Sequence, residues 1–153
     1  MSNKLKVYVK SILIPLIVGG IVGLIISSSI DYNVLQKPKF SPPSILFPIM
    51  WTILYVIMGI SYAILKNNLQ IDKKTNIIYY VQLFVNALWS IIFFTLKWRL
   101  FAFVWILILA LLIIFMIVEF YKKNKLAGIL QIPYLLWVLF ASYLNVAIYA
   151  LNK

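Results

Sequence analysis

Fourteen basic and three acidic side chains divide this chain into five long stretches that carry no charge. The stretches are 11–30, 40–65, 75–96, 100–118 and 126–152, with lengths of 20, 26, 22, 19 and 27 residues. A bilayer's hydrocarbon core is about 30 Å thick, and a helix crosses it with roughly 20 apolar residues. Every stretch is long enough. Lipid offers the backbone no hydrogen-bond partners, so a spanning segment is a helix or a strand of a closed barrel. Barrel strands alternate apolar and polar residues over about 10 positions, and these stretches do not. The expected fold is therefore all-α: an integral membrane bundle of five transmembrane helices in one domain, residues 1–153. The helices are expected at about 7–30, 44–66, 75–96, 100–121 and 127–151.

A mean hydropathy of +1.03 excludes an ordinary soluble domain. The first stretch is longer than the roughly 7–15-residue apolar run of a secretory signal. No Ala-x-Ala cleavage site closes it before Asp31, so it is expected to remain as a first helix. The net charge of +11 raises nucleic acid as a partner. The basic residues sit at helix ends rather than in one stripe, which argues for no nucleic acid and for a topological role. Lys4, Lys6, Lys10, Lys66, Lys73, Lys74, Lys122, Lys123 and Lys125 flank one side of the membrane, and Lys37, Lys39, Lys97, Arg99 and Lys153 the other. Nine against five predicts a cytoplasmic N-terminus and an external C-terminus.

Cysteine and histidine are both absent. Disulfides, thiolate nucleophiles, Cys/His metal sites and a His haem ligand are thereby removed, and no metal site is expected. Asp31, Asp72 and Glu119 fall in loops or at helix ends. Proton-coupled pumps usually need an ionisable group deep in the membrane, and this chain places none there. Hydrolytic chemistry lacks its side chains as well.

Residues 31–43 connect the first two helices. Pro38, Pro42 and Pro43 stiffen the segment. Ser41 before Pro42-Pro43 has the pattern of a helix N-cap with proline in the first turn. Tyr32, Leu35 and Phe40 are more apolar than a solvated connector requires, so the loop is expected to fold back as a lid. Gly19, Gly23 and Ser27 form a small-xxx-small series on the first helix, a pattern of close helix packing. In the second helix Pro48, Trp51, Tyr55, Gly59 and Tyr62 share one face by their spacing of three and four. Gln82, Asn86 and Ser90 share a face of the third, beside Trp89 and Phe93. Tyr134, Trp137, Ala141 and Asn145 share a face of the fifth, with Ser142 adjacent. The fourth carries no Asn, Gln, Ser or Thr between 100 and 118 and reads as scaffold, with Trp98 and Trp105 as a belt at one end. Amides at mid-membrane depth are expensive unless paired. Gln82, Asn86 and Asn145 are therefore either interhelical hydrogen-bond partners or ligand contacts. Three faces that combine aromatic rings with a few polar groups describe a small-molecule site.

These residues resemble a known family. Tyr32, Leu35, Lys37-Pro38, Phe40 and Pro42-Pro43 are similar to the first-loop signature of the translocator protein family, also called tryptophan-rich sensory protein or peripheral benzodiazepine receptor. Pro48-x-x-Trp51-x-x-x-Tyr55-x-x-Met58-Gly59 resembles its second-helix motif. Gln82-x-x-x-Asn86-x-x-Trp89-Ser90-x-x-Phe93-Phe94 resembles the third, and Pro133-Tyr134-x-x-Trp137-x-x-x-Ala141-x-x-Leu144-Asn145 the fifth. The likeness runs in order along the whole chain.

The resemblance implies a multi-pass protein of a bacterial cytoplasmic membrane, often a homodimer. It implies a receptor for porphyrins such as protoporphyrin IX, isoquinoline carboxamides and benzodiazepine-like ligands, with no obligatory cofactor. The pocket would lie among the helices under the first loop. By motif position Trp51, Asn86 and Trp137 would contact the ligand. Tyr32, Pro42, Tyr55, Gln82, Trp89, Ser90, Ala141 and Asn145 would line or close the pocket. Lys37 or Lys39 would meet propionates at its mouth. Light- and oxygen-dependent degradation of protoporphyrin IX, through Trp51 and Trp137 as catalytic residues, is an alternative that the resemblance carries. A passive carrier of porphyrins or other apolar solutes is another. The sequence departs from the family at Phe40, where Trp is common, and at Val146, Tyr149 and Ala150, which alter a stretch associated with cholesterol.

Overall fold

A computed structural model describes residues 1–153. All regular structure is helical. The elements are α1 Asn3–Ile26, α2 Leu46–Asn67, α3 Lys73–Ser90, α4 Arg99–Lys123, α5 Lys125–Ile129 and α6 Ile132–Asn152. Five spans result, because α5 and α6 together form one apolar crossing, Lys125–Asn152.

Local chemistry explains the boundaries. The Ser2, Asp72 and Asn124 side chains accept from the backbone N–H groups of Leu5, Thr75 and Ala127 and cap α1, α3 and α5. The fifth expected helix is split between Ile129 and Ile132. Pro133 occupies the first turn of α6, where its missing N–H leaves no gap in the hydrogen-bond ladder. Ser41 does not cap α2 as its pattern suggested. Its hydroxyl donates to the Pro38 carbonyl at 2.7 Å, and α2 begins at Leu46 after a tight turn through Pro43 and Ser44. The first helix stops at Ile26, short of the expected residue 30. Beyond Ser90 the third span continues in wider turns, Ile91–Thr95, closed by the Leu96 N–H bonding back to Ile91. Such turns recur at functional sites.

The spans close into a ring. α1 packs on α2, α2 on α5 and α6, α6 on α4, α4 on α3, and α3 returns to α1. α4 supplies much of the core: Ile106, Ile113, Met116 and Phe120 are fully buried, as a scaffold helix requires. Trp98 is exposed at its end, whereas Trp105 turns inward and donates to the Val85 carbonyl at 2.8 Å. Only three residues of α1 are buried, Ser11, Pro15 and Ile26. Large apolar side chains such as Ile17, Phe84, Leu111, Phe115 and Leu136 face outward, toward lipid.

Glycine fixes the α1–α2 contact at one point. A Cβ at Gly59 would lie 2.5 Å from the Ile12 Cα and from the Ser11 carbonyl oxygen, so the two backbones meet there. The small-residue series of α1 behaves differently from the close packing expected of it. Gly19 lies against the Tyr55 ring, while a Cβ at Gly20 or Gly23 would meet nothing within 4 Å.

Candidate ligand cavity

Gly19, Gly20 and Gly23 line a cavity of about 460 Å³ bounded by α1, α2, the end of α3, α6 and the first loop, with Gly20 and Gly23 exposed at its rim. Its position follows from helical spacing. Phe47, Pro48, Trp51, Thr52 and Tyr55 present one face of α2; Trp89, Ser90, Phe93 and Phe94 one face of the third span; Ala141, Leu144, Asn145 and Ile148 one face of α6. Gly19, Gly20 and Gly23 leave room on the α1 side, and Tyr32 closes the loop side. The walls are apolar and aromatic, and most of the wall's polar atoms are already bonded within the protein. The Thr52 hydroxyl donates to the Pro48 carbonyl at 2.7 Å. The Trp89 indole donates to Asn145 Oδ1 at 3.0 Å, and Asn145 Nδ2 donates to the Arg99 carbonyl at 2.8 Å. Such a cavity selects by shape and ring stacking, with the Ser90 hydroxyl as a polar contact on the wall.

Seven of the eleven residues expected at the site line this cavity: Tyr32, Trp51, Tyr55, Trp89, Ser90, Ala141 and Asn145. Pro42, Gln82, Asn86 and Trp137 lie behind or beside the wall. Pro42 accepts the Tyr32 hydroxyl at 2.7 Å. Gln82 and Asn86 are buried in a chain of hydrogen bonds that joins three spans. The Tyr55 hydroxyl donates to Asn86 Oδ1, Asn86 Nδ2 donates to the Tyr134 hydroxyl, and that hydroxyl donates to Gln82 Oε1, each at 2.7 Å. Gln82 Nε2 then donates to the Tyr79 carbonyl at 2.9 Å. Trp137 meets Trp51 edge-on with ring centroids 6.5 Å apart, and its buried indole N–H has no partner. Sequence reasoning missed Tyr134 as the hub of this chain and Phe47 as a wall residue. Both had a signal: Tyr134 stands three residues before Trp137, and Phe47 four before Trp51.

The first loop is fastened to the bundle. Arg99 Nη2 donates to both Asp31 carboxylate oxygens at 2.8 Å, and Lys97 Nζ lies 3.5 Å from the same group. The Asn152 amide pairs with the Gln36 backbone, accepting at 3.0 Å and donating at 2.8 Å. Lys37 Nζ donates to the Tyr32 and Leu35 carbonyls, so its charge holds the loop's own backbone. Burial pushes the Tyr32 phenol up, against an opposing bond with Ser41, so it stays protonated and donates to Pro42.

Burial alone would raise the Asp31 carboxyl. The Arg99 hydrogen bonds and charge, with Lys97, outweigh that and hold it below its ordinary value of 3.8. A depressed carboxylate contributes stability above its unfolded pKa and loses that contribution as pH falls through the folded one. Asp31→Asn is therefore expected to lower thermal stability at pH 7, by roughly 1.5–3 kcal/mol for a charge-assisted pair with little exposure. The difference from wild type should shrink below about pH 4, as the wild-type carboxyl protonates. Thermal unfolding of both proteins at the two pH values measures this, and a gap that persists at low pH would remove the ion pair as its source.

Comparison with known proteins extends the likeness along the chain. A family model described as the TspO/MBR family matches residues 11–151. The chain is 41% identical to the tryptophan-rich protein TspO of Archaeoglobus fulgidus, over 98% of this chain and 99% of that one. It is 36% identical to the protein CrtK of Rhodobacter capsulatus, over 87% and 85% of the two chains. It is 32% identical to the human translocator protein, over 79% and 74%.

Proposed function

The chain belongs to the TspO/MBR family, and we propose that it is a membrane receptor for porphyrins, protoporphyrin IX first among them, held in the cavity beneath the first loop. Membership and five apolar helices make it an integral multi-pass membrane protein with a sensor or translocator role. The observation that carries the finer reading is the cavity itself. At about 460 Å³ it falls within the roughly 300–1,000 Å³ of small-molecule sites, and its aromatic walls suit a flat apolar ring. Trp51 and Tyr55 are stacked on one wall at 5.7 Å, and Trp89 with Phe93 on another at 5.3 Å. The first loop acts as the lid, with Tyr32 as the residue that closes it. Isoquinoline carboxamides and benzodiazepine-like molecules fit the same description.

A spectroscopic titration of the purified protein with protoporphyrin IX in darkness tests this. Saturable binding is expected, with affinity reduced by about 1 kcal/mol in Trp51→Phe, because most of the stacking area remains. Trp137→Phe should act less, since that ring stands behind Trp51. Non-saturable uptake, matching empty detergent micelles, would reject the receptor.

The Trp51–Trp137 contact also favours a second reading, light-dependent porphyrin degradation with oxygen as oxidant. Trp51 lies on the wall, with a second oxidisable indole 6.5 Å behind it. The deciding measurement is porphyrin absorbance at saturation under light, against dark and protein-free controls. Loss faster than both controls in wild type, and absent in Trp51→Phe, supports the enzyme. Loss equal to the protein-free control ends that reading.

The N-terminus is proposed to be cytoplasmic, on the nine-to-five asymmetry of basic residues. A cysteine introduced at Asn3 should resist an impermeant reagent applied to intact cells, whereas one at Lys153 should react. The opposite pattern reverses the orientation.

A further inference from the structure

A second cavity, of about 530 Å³ and open to the surface, lies where α4 begins and α6 ends. Its chemistry differs from the first. Lys97, Arg99 and Lys153 line it together with Trp98, Phe101 and Tyr149. One side-chain carboxylate faces these three cations: Asp31 pairs with Arg99 at 2.8 Å and Lys97 at 3.5 Å, and Lys153 pairs with no side-chain carboxylate. Arg99 also keeps a buried Nε–H without a partner. Trp98 heads α4 without a side-chain cap, so the helix's first N–H groups add positive potential at the same place. The groove therefore has an excess of positive charge, and the outward Lys97 and Lys153 ammonium groups are its donors for an anion.

Its surroundings say which anion. Trp98 and Phe101 are exposed at the end of a transmembrane helix, the level at which aromatic side chains meet lipid headgroups. Below them Val104, Ile108, Leu111 and Phe115 continue an exposed apolar track along α4. A ligand with a phosphate at one end and a long hydrocarbon chain at the other matches charge above and apolar surface beneath. We propose that this groove is a binding site for the headgroup of an anionic phospholipid, with its acyl chain along α4. Basic pockets between transmembrane helices on the cytoplasmic side bind acidic headgroups on the same physical grounds, and in the orientation proposed above this groove draws its lipid from the outer leaflet. Because Asp31, Lys97 and Arg99 also anchor the first loop, the lipid would sit beside the fastening of the lid over the first cavity.

Trp98 is the reporter. The full chain is placed in phosphatidylcholine nanodiscs doped with brominated phosphatidylglycerol or, separately, brominated phosphatidylcholine. The Trp98 signal is the part of the emission that Trp98→Phe removes. Brominated phosphatidylglycerol should quench it with an apparent affinity about fivefold above that of brominated phosphatidylcholine, the effect expected of one effective cation at an anionic surface. In the Lys97→Gln/Lys153→Gln double variant the ratio should fall to near one; both side chains are outward, and Arg99 is left to hold Asp31. Millimolar inorganic phosphate should leave the wild-type ratio unchanged. Equal quenching by the two lipids in wild type, or an excess that survives in the double variant, would overturn the site. Relief by inorganic phosphate would assign it to a free anion instead and overturn the lipid.

Discussion

Gly20→Phe is expected to lower porphyrin affinity at least tenfold while leaving the empty protein as stable as wild type or more so. Gly20 lies on the cavity wall, and a Cβ built on it would meet no atom within 4 Å. Gly20 is exposed at the rim, so the new ring displaces no atom of the fold and narrows the open side of the cavity. Replacing a helix-interior glycine also removes a backbone penalty of up to about 1 kcal/mol. The ligand faces the opposite balance, because a phenyl group and a porphyrin cannot share a cavity of about 460 Å³ without one being displaced. Gly59→Ala supplies the contrast. There the Cβ runs into the α1 backbone at 2.5 Å, so stability should fall by about 1–3 kcal/mol with the cavity wall unaltered. Thermal unfolding and dark titration of both variants separate the two effects. A Gly20→Phe protein that binds protoporphyrin IX as tightly as wild type would show that the ligand does not occupy the Gly20 side of the cavity.

The contrast between these glycines also shows where sequence reading stops. The five spans were legible because charge punctuates them and lipid permits few backbone solutions. Which residues share a helix face was equally legible, since the spacing of Trp51, Thr52 and Tyr55, or of Ala141 and Asn145, is a property of one helix. The partner of each face is not. Gly19 and Gly23 belong to one series, yet one meets the Tyr55 ring and the other meets open space. Ser41 shows a related limit. Its hydroxyl had a choice between the first turn of a helix and the Pro38 carbonyl, and the stiff Pro-rich loop decided for the second. Gln82, Asn86 and Ser90 share a face by spacing, but only Ser90 reaches the cavity. The two amides are taken by tyrosines from α2 and α6. That outcome depends on the relative depth of three helices, which no periodicity encodes.

Asn86 carries the sharpest consequence of that distinction. Asn86→Leu is expected to destabilise the empty protein by about 1–3 kcal/mol and to change ligand affinity by less than about threefold. The amide has two bonds to lose. The Tyr55 hydroxyl would be left without its acceptor, and the Tyr134 hydroxyl would keep only its bond to Gln82. A buried donor without a partner carries a penalty of about 1–3 kcal/mol, and interhelical bonds in membranes average about 0.6 kcal/mol with a maximum near 1.7. The lower half of the range is therefore favoured. Affinity should change little because the Tyr55 ring, not the Asn86 amide, forms the wall. A double-mutant cycle isolates the bond. Tyr55→Phe should be destabilising in the wild-type background and stabilising once Asn86 is Leu, since it then removes the hydroxyl that has lost its acceptor. Thermal unfolding without ligand and dark titration with protoporphyrin IX give both quantities. If affinity fell tenfold or more with stability intact, the amide would have to leave Tyr55 and Tyr134 and turn to the ligand, and the hydrogen-bond chain of the empty protein would then be a state that binding opens.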